Sequence, residues 1–146
     1  MKNIFYIAFF SLLFSACSPS VDLDEGQWEQ VAKITEFVIY KQSQESITLP
    51  NGDVVDGVLK VDLAKASEFN NETKQITIIV PSTVNNEELE KAGCYMTHNG
   101  KKVIPLENSP KPGTILDWNN VSQCKYRIET ANKKYSADWT INIYRE

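Results

Sequence analysis

The chain has 146 residues, with 15 Lys and Arg against 19 Asp and Glu, a formal charge of −4 and one histidine. Once any targeting segment is set aside, that length holds one domain with a real core but not two. The mildly acidic balance argues against a nucleic-acid partner, which binds through a basic face.

The first segment opens with a positive charge at Lys2, continues as an apolar stretch from Ile4 to Phe14, and ends in Ser15-Ala16-Cys17. A bilayer-spanning helix takes about 20 apolar residues. This stretch is shorter, and it matches the apolar region of a secretory signal, with small residues where a signal peptidase cuts. Phe14-Ser15-Ala16-Cys17 resembles the lipobox of bacterial lipoproteins and departs from it at Phe14, where Leu is commoner. The resemblance implies that residues 1–16 are a signal peptide and that Cys17 is lipidated and holds the protein to a membrane. Two or more acyl chains anchor a protein stably without any transmembrane helix. Removal of residues 1–16 takes away one charged residue, Lys2, and leaves the mature chain slightly more acidic.

Residues 17–30 carry Pro19, Asp22, Asp24, Glu25 and Gly26 with few bulky apolar side chains, so they read as a flexible acidic tether. Acidic residues soon after the lipidated cysteine resemble the surface-export signal of Bacteroides-type lipoproteins. That implies attachment to the outer membrane with the domain facing outward; a spacer facing the periplasm is the alternative.

The domain proper is expected over residues 31–146. Val31–Tyr40 is rich in β-branched and aromatic residues, and a bulge near Thr35-Glu36 would put both Ile34 and Phe37 on the core side. A short run at Ile47–Leu49 ends in the Pro50-Asn51-Gly52-Asp53 turn. Val54-Val55 and Val58–Leu63 follow as strand, and the polar stretch Ala64–Lys74 reads as loop or a turn of helix. Gln75–Val80 is the clearest core strand, with Ile76, Ile78 and Val80 on one face and Pro81 as its stop. Asn86–Ala92 predicts one or two helical turns. Asn99-Gly100, between Tyr95–His98 and Lys101–Ile104, predicts a β-hairpin. Leu106–Gly113 is proline-rich and irregular, and Ile115–Trp118 is a short edge segment. Gln123–Thr130 alternates with Cys124, Tyr126 and Ile128 on one face; Ala137–Ile143 alternates with Trp139, Ile141 and Ile143 inward. About seven short strands separated by turn signals predict an all-β sandwich.

Ile34-x-x-Phe37, the Ile76–Pro81 run, Tyr95 with the Asn99-Gly100 turn, Val103-x-Pro105, Gly113 before Asp117-Trp118-Asn119-Asn120, Tyr126-x-Ile128 and Trp139-x-Ile141-x-Ile143 occur in that order. Together they resemble the immunoglobulin-like β-sandwich modules of Bacteroides-type surface lipoproteins, many of which are domains of unknown function. Two features depart from that pattern: Val54–Lys74 is long for such modules, and Trp118 stands where Phe is usual. The resemblance implies a fold and brings no catalytic residues with it.

Chemistry-bearing constellations are sparse. His98 is a lone histidine beside a turn, and no second His or C-x-x-C supplies zinc spacing. The glycines are scattered singly, and no G-x-S-x-G stands in the chain. Cys94 and Cys124 fit either a disulfide, which an exported protein can keep, or two buried thiols acting as small apolar residues. Trp28 and Trp118 fit either packing at the sandwich edge or a platform for a sugar ring. The expectation is therefore a non-enzymatic module without cofactor, bound to a membrane through lipid on Cys17 and serving display or protein interaction. The alternative is a glycan-binding lipoprotein of a polysaccharide-uptake system.

Overall fold

A computed structural model describes residues 32–146; the readings placed on residues 1–31, Cys17 and Trp28 among them, lie outside the described residues. In chain order the elements are β1 (Ile34–Thr48), β2 (Val54–Asn70), β3 (Gln75–Val80), a single helical turn α1 (Asn86–Glu90), β4 (Ala92–His98), β5 (Lys102–Leu106), β6 (Gln123–Glu129) and β7 (Ser136–Arg145). The fold is all-β with seven strands, against about seven expected; Ile115–Trp118, read as an edge segment, makes only an isolated bridge from Leu116 to Ala92.

The strands form one sheet in the order β4-β1-β2-β3-β7-β6-β5. β3 and β7 run parallel; the other neighbours are antiparallel. The sheet curls into a half-barrel whose two ends face each other as the layers of a sandwich do. The rings of Phe37 on β1 and Tyr126 on β6 stand 6.1 Å apart, and the Trp139 indole N–H on β7 donates to the Ala32 carbonyl at 3.0 Å. β2 makes the curl possible by serving both halves: it pairs with β1 from Val54 to Lys65 and with β3 from Ala66 to Asn70. The core between the halves is built from Ile34, Phe37 and Ile39 of β1, Ile76 and Ile78 of β3, Leu89 of α1, Tyr126 and Ile128 of β6, and Trp139 and Ile141 of β7, all fully buried. Burial of each large apolar side chain is worth about 1.5–3 kcal/mol.

The bulge expected near Thr35 is present. β1 slips register against β4 between Ile34 and Glu36, and both Ile34 and Phe37 are buried. Three other segments depart from the sequence reading. Ala64–Asn70 is strand and not loop: Ala64, Ala66 and Phe69 face or flank the core, but two of them are too small to register as apolar. A second register shift between Ala66 and Glu68 breaks their period as well. The polar run Lys41–Ser46 continues β1 through to Thr48.

The third departure is Asn99-Gly100, which is no hairpin. β4 pairs with β1 and β5 with β6, at opposite edges of the sheet, and neither Asn99 nor Gly100 has positive φ. The link from His98 to Lys102 carries the chain from one edge to the other across the mouth of the half-barrel. A few residues reach only about 3.3–3.6 Å each, so the two edges must lie close together here. The Asn99 amide donates to the Lys33 carbonyl, and the Lys101 amide to the Glu129 carbonyl. These two bonds tie the link to both ends of the sheet.

Candidate interaction surface

β1 and β2 outrun their neighbours. The pairing of β4 with β1 stops at Lys41, opposite Ala92, and β3 meets β2 only from Ala66 onward. From Gln42 to Thr48 and from Val54 to Lys65, the two strands are therefore bonded to each other and to no other strand among the described residues. The seven residues Gln42–Thr48 project about 20 Å beyond the body at strand rise. The Pro50–Asp53 turn closes this arm. The Gly52 amide donates to the Leu49 carbonyl at 2.9 Å and the Leu49 amide to the Asp53 carbonyl at 2.8 Å. Gly52 takes φ +88°, which glycine adopts without the Cβ clash of other residues, and the Asn51 side chain braces Asp53. This is a type I turn followed by a bulge, a common three-residue hairpin connection.

The arm carries apolar side chains into solvent. Register puts Ile47, Val55, Leu59 and Val61 on the face that continues the core, and Val54 and Val58 on the other. All are exposed, Val54 to 65% and Val58 to 57%. Seven of the eleven exposed large hydrophobic residues among the described ones lie between Ile47 and Val61. Such a concentration on one element marks an interaction surface far better than scattered single residues do. Among the described residues no strand pairs with either outer edge of the arm, and open edges are ones that other chains can extend.

At the base of the arm a second small packing group lies on the outer face of the sheet. Val38 and Tyr40 are fully buried there, and the ring of Tyr40 meets that of Tyr95 at 5.8 Å. The Lys60 ammonium sits over both rings, 4.8 Å from the centroid of Tyr40. On the core side of the arm, Lys41 bonds Glu88 of α1 at 2.5 Å.

The other residues singled out by sequence are interior. Cys94 and Cys124 are free, buried thiols. They flank the hydroxyl of Tyr126, which donates to the Pro110 carbonyl at 2.7 Å and stands 3.6 Å from the Cys94 sulfur. Burial pushes the Cys94 thiol up to about 11 and the Cys124 thiol up to about 12; burial also raises the Tyr126 hydroxyl well above its ordinary value. The thiols are therefore held protonated, the unreactive form. Of the two alternatives for this pair, the structure has the buried thiols.

Trp118 is 2% exposed and belongs to the core cluster, and its backbone amide donates to the Leu89 carbonyl. It offers no face to a sugar, so its role is packing: the chain from Leu116 to Trp118 is stitched to Ala92 and Leu89, which turns the indole inward. His98 lies opposite Ile34 in the sheet with its Nδ1 buried and unbonded. Among the described residues no three His, Cys, Asp or Glu side chains gather as metal ligands, and no helix is long and apolar enough to cross a membrane.

The sequence singled out individual valines and the turn of the arm, but not the arm itself. The signal was there in Val54-Val55 and Val58–Val61 beside a strong turn. What hid it was the polar opposite strand, Lys41–Ser46. In comparisons with known proteins, no family model and no curated protein matches the chain.

Proposed function

We propose that this chain is a lipoprotein, held to the bacterial outer membrane by lipid on Cys17, that presents a non-enzymatic β module for protein interaction. The observation that carries the interaction half is the projecting β1–β2 arm, with its exposed valines and two open edges. Solvent exposure of that many apolar side chains is costly unless a partner covers them. The anchoring half is supported by the Lys2 start, the Ile4–Phe14 stretch and the lipobox-like Phe14–Cys17. A tether over residues 17–30 would let the module stand away from the membrane. The resemblance to Bacteroides-type surface lipoproteins supports the outward-facing orientation.

Two experiments test the two halves. Cys17→Ser should move the protein from the membrane fraction to the soluble fraction; a variant that still sediments with membranes after a high-salt wash would overturn the anchor. A photo-crosslinking residue at Val54 should capture protein in intact cells, while the same residue at Tyr144, exposed on β7 of the body, should capture far less. Equal capture at both positions would remove the arm as the interaction surface.

A further inference from the structure

We infer that the partner of the arm is a second copy of this chain, joined edge to edge through Val54–Asp62 of β2 about a two-fold axis at Val58. This rests on the reading of the arm as an interaction surface and names its occupant.

The hydrogen-bond phase of the hairpin decides which amides are available. The Leu49 amide bonds the Asp53 carbonyl, and bonded pairs recur at every second position of an antiparallel ladder. Along the register of Ile47 with Val55, Glu45 with Gly57, Ser43 with Leu59 and Lys41 with Val61, the odd-numbered residues of β2 bond to β1. The even-numbered ones, Val54, Asp56, Val58, Lys60 and Asp62, turn their N–H and C=O groups outward. β3 covers that edge only from Ala66, and Pro81 follows the last residue of β3. A two-fold axis perpendicular to the sheet pairs two such edges antiparallel, with each residue on the same face as the one opposite it.

Charge selects the register. With Val58 opposite Val58 of the second copy, Asp56 faces Lys60 twice, once on each side of the axis. On the other face Val55 meets Val61, and Leu59 meets Gly57, over which Ile47 already leans. A centre at Leu59 would set Asp56 against Asp62, and a centre at Lys60 would oppose two lysines. A centre at Gly57 leaves both Asp56 and Lys60 opposite valines. A centre at Val61 would pair Lys60 with Asp62, but it runs the ladder through Leu63, where β2 slips register against β1. Opposite charges directly across a ladder stabilise it and like charges weaken it, so the sequence of this edge is complementary to itself in one register. Lys60 lies over Tyr40 in the single chain; its flexible stem lets the ammonium swing to the outer edge.

The test uses the full chain in intact cells, with Val58→Cys as the probe. Two facing residues of a bonded antiparallel pair lie within disulfide reach. Mild oxidation should give a reducible dimer on a non-reducing gel. Gln44→Cys, on the same face but on the strand away from the axis, should give none, nor should the unmodified chain, which controls for Cys17. Adding Asp56→Lys to Val58→Cys should lower the cross-linked fraction about tenfold or more by placing like charges across the axis. Adding Lys60→Asp as well should restore it. No cross-link at Val58→Cys, or a cross-link indifferent to both charge changes, overturns the proposal. If Val54 captures a different protein in cells while Val58→Cys forms no dimer, the second copy is wrong and the interaction surface stands. If neither position reports a contact, both fail.

Discussion

Gly100 shows how one residue sets the closure of the half-barrel. A Cβ there would lie 2.6 Å from the Glu129 carbonyl oxygen and 2.5 Å from the Cγ2 of Ile128. The first of these is backbone and cannot swing aside. Glycine is needed for close approach and not for an unusual φ, because the residue sits outside the left-handed region. Gly100→Ala should therefore push the link away from β6 and lower stability by about 1–3 kcal/mol, read from chemical denaturation. An unchanged midpoint would mean that the two edges of the sheet are not held together at this point. Ile78 makes the complementary case. It is fully buried on β3, between β2 and β7. Ile78→Asp leaves a carboxylate without a partner in the apolar core, and the thermal transition should be lost.

α1 has five residues, too few to be stable by itself. Its cap holds it. The Asn85 side chain accepts from the Glu88 amide at 2.9 Å, and the Glu88 carboxylate accepts from the Asn85 amide at 3.1 Å. Leu89 then enters the core. The Lys41 ammonium, with the Asn85 amide second, holds the Glu88 carboxyl below its ordinary value. The Arg127 guanidinium does the same for Asp138 through a two-pronged bond. A carboxyl depressed in the folded state contributes stability that is whole above its unfolded value and disappears as pH falls through the folded one. The melting temperature should therefore drop on acidification through the carboxylate range, and Glu88→Gln should show a shallower drop than the wild type. Identical slopes would remove Glu88 from the pH response.

At this scale much of the fold was legible. β3, β6 and β7 alternate large apolar with polar residues, Asn86–Ala92 is rich in helix formers, and Pro50–Asp53 is an unambiguous turn. The missed parts have physical causes. Ala64 and Ala66 are too small to mark a buried face, and Lys41–Ser46 is polar because the strand stands in solvent. Asn99-Gly100 matches a hairpin turn locally, whereas its actual path depends on two strands distant in sequence. The Trp118 position could not be read at all: packing and display use the same residue, and only the inward turn at Leu116–Trp118 decides between them.

At the scale of the whole molecule, the described residues divide into a body that carries the core and an arm that adds nothing to it. Every residue of the main core cluster lies outside the segment from Gln42 to Asp62. Replacing residues 44–58 by a two-residue Asn-Gly turn should leave the melting temperature within about 4 °C of the original and abolish cross-linking through the arm. A large loss of stability would mean that the arm belongs to the folding unit and is not an appendage of it.

The parallel pairing of β3 with β7 has a consequence for how the chain reaches this state. Ile76 and Ile78 lie beside Ile141 and Ile143, so the middle of the sheet is completed by a strand that follows all the other described strands in the chain. Until that strand is made, β3 has one covered side, and β6 lacks its partner on the inner flank. Contacts this distant in sequence close slowly. A nascent chain stalled before Ser136 should consequently remain open and sensitive to protease, and one extended beyond Arg145 should become resistant in a single step.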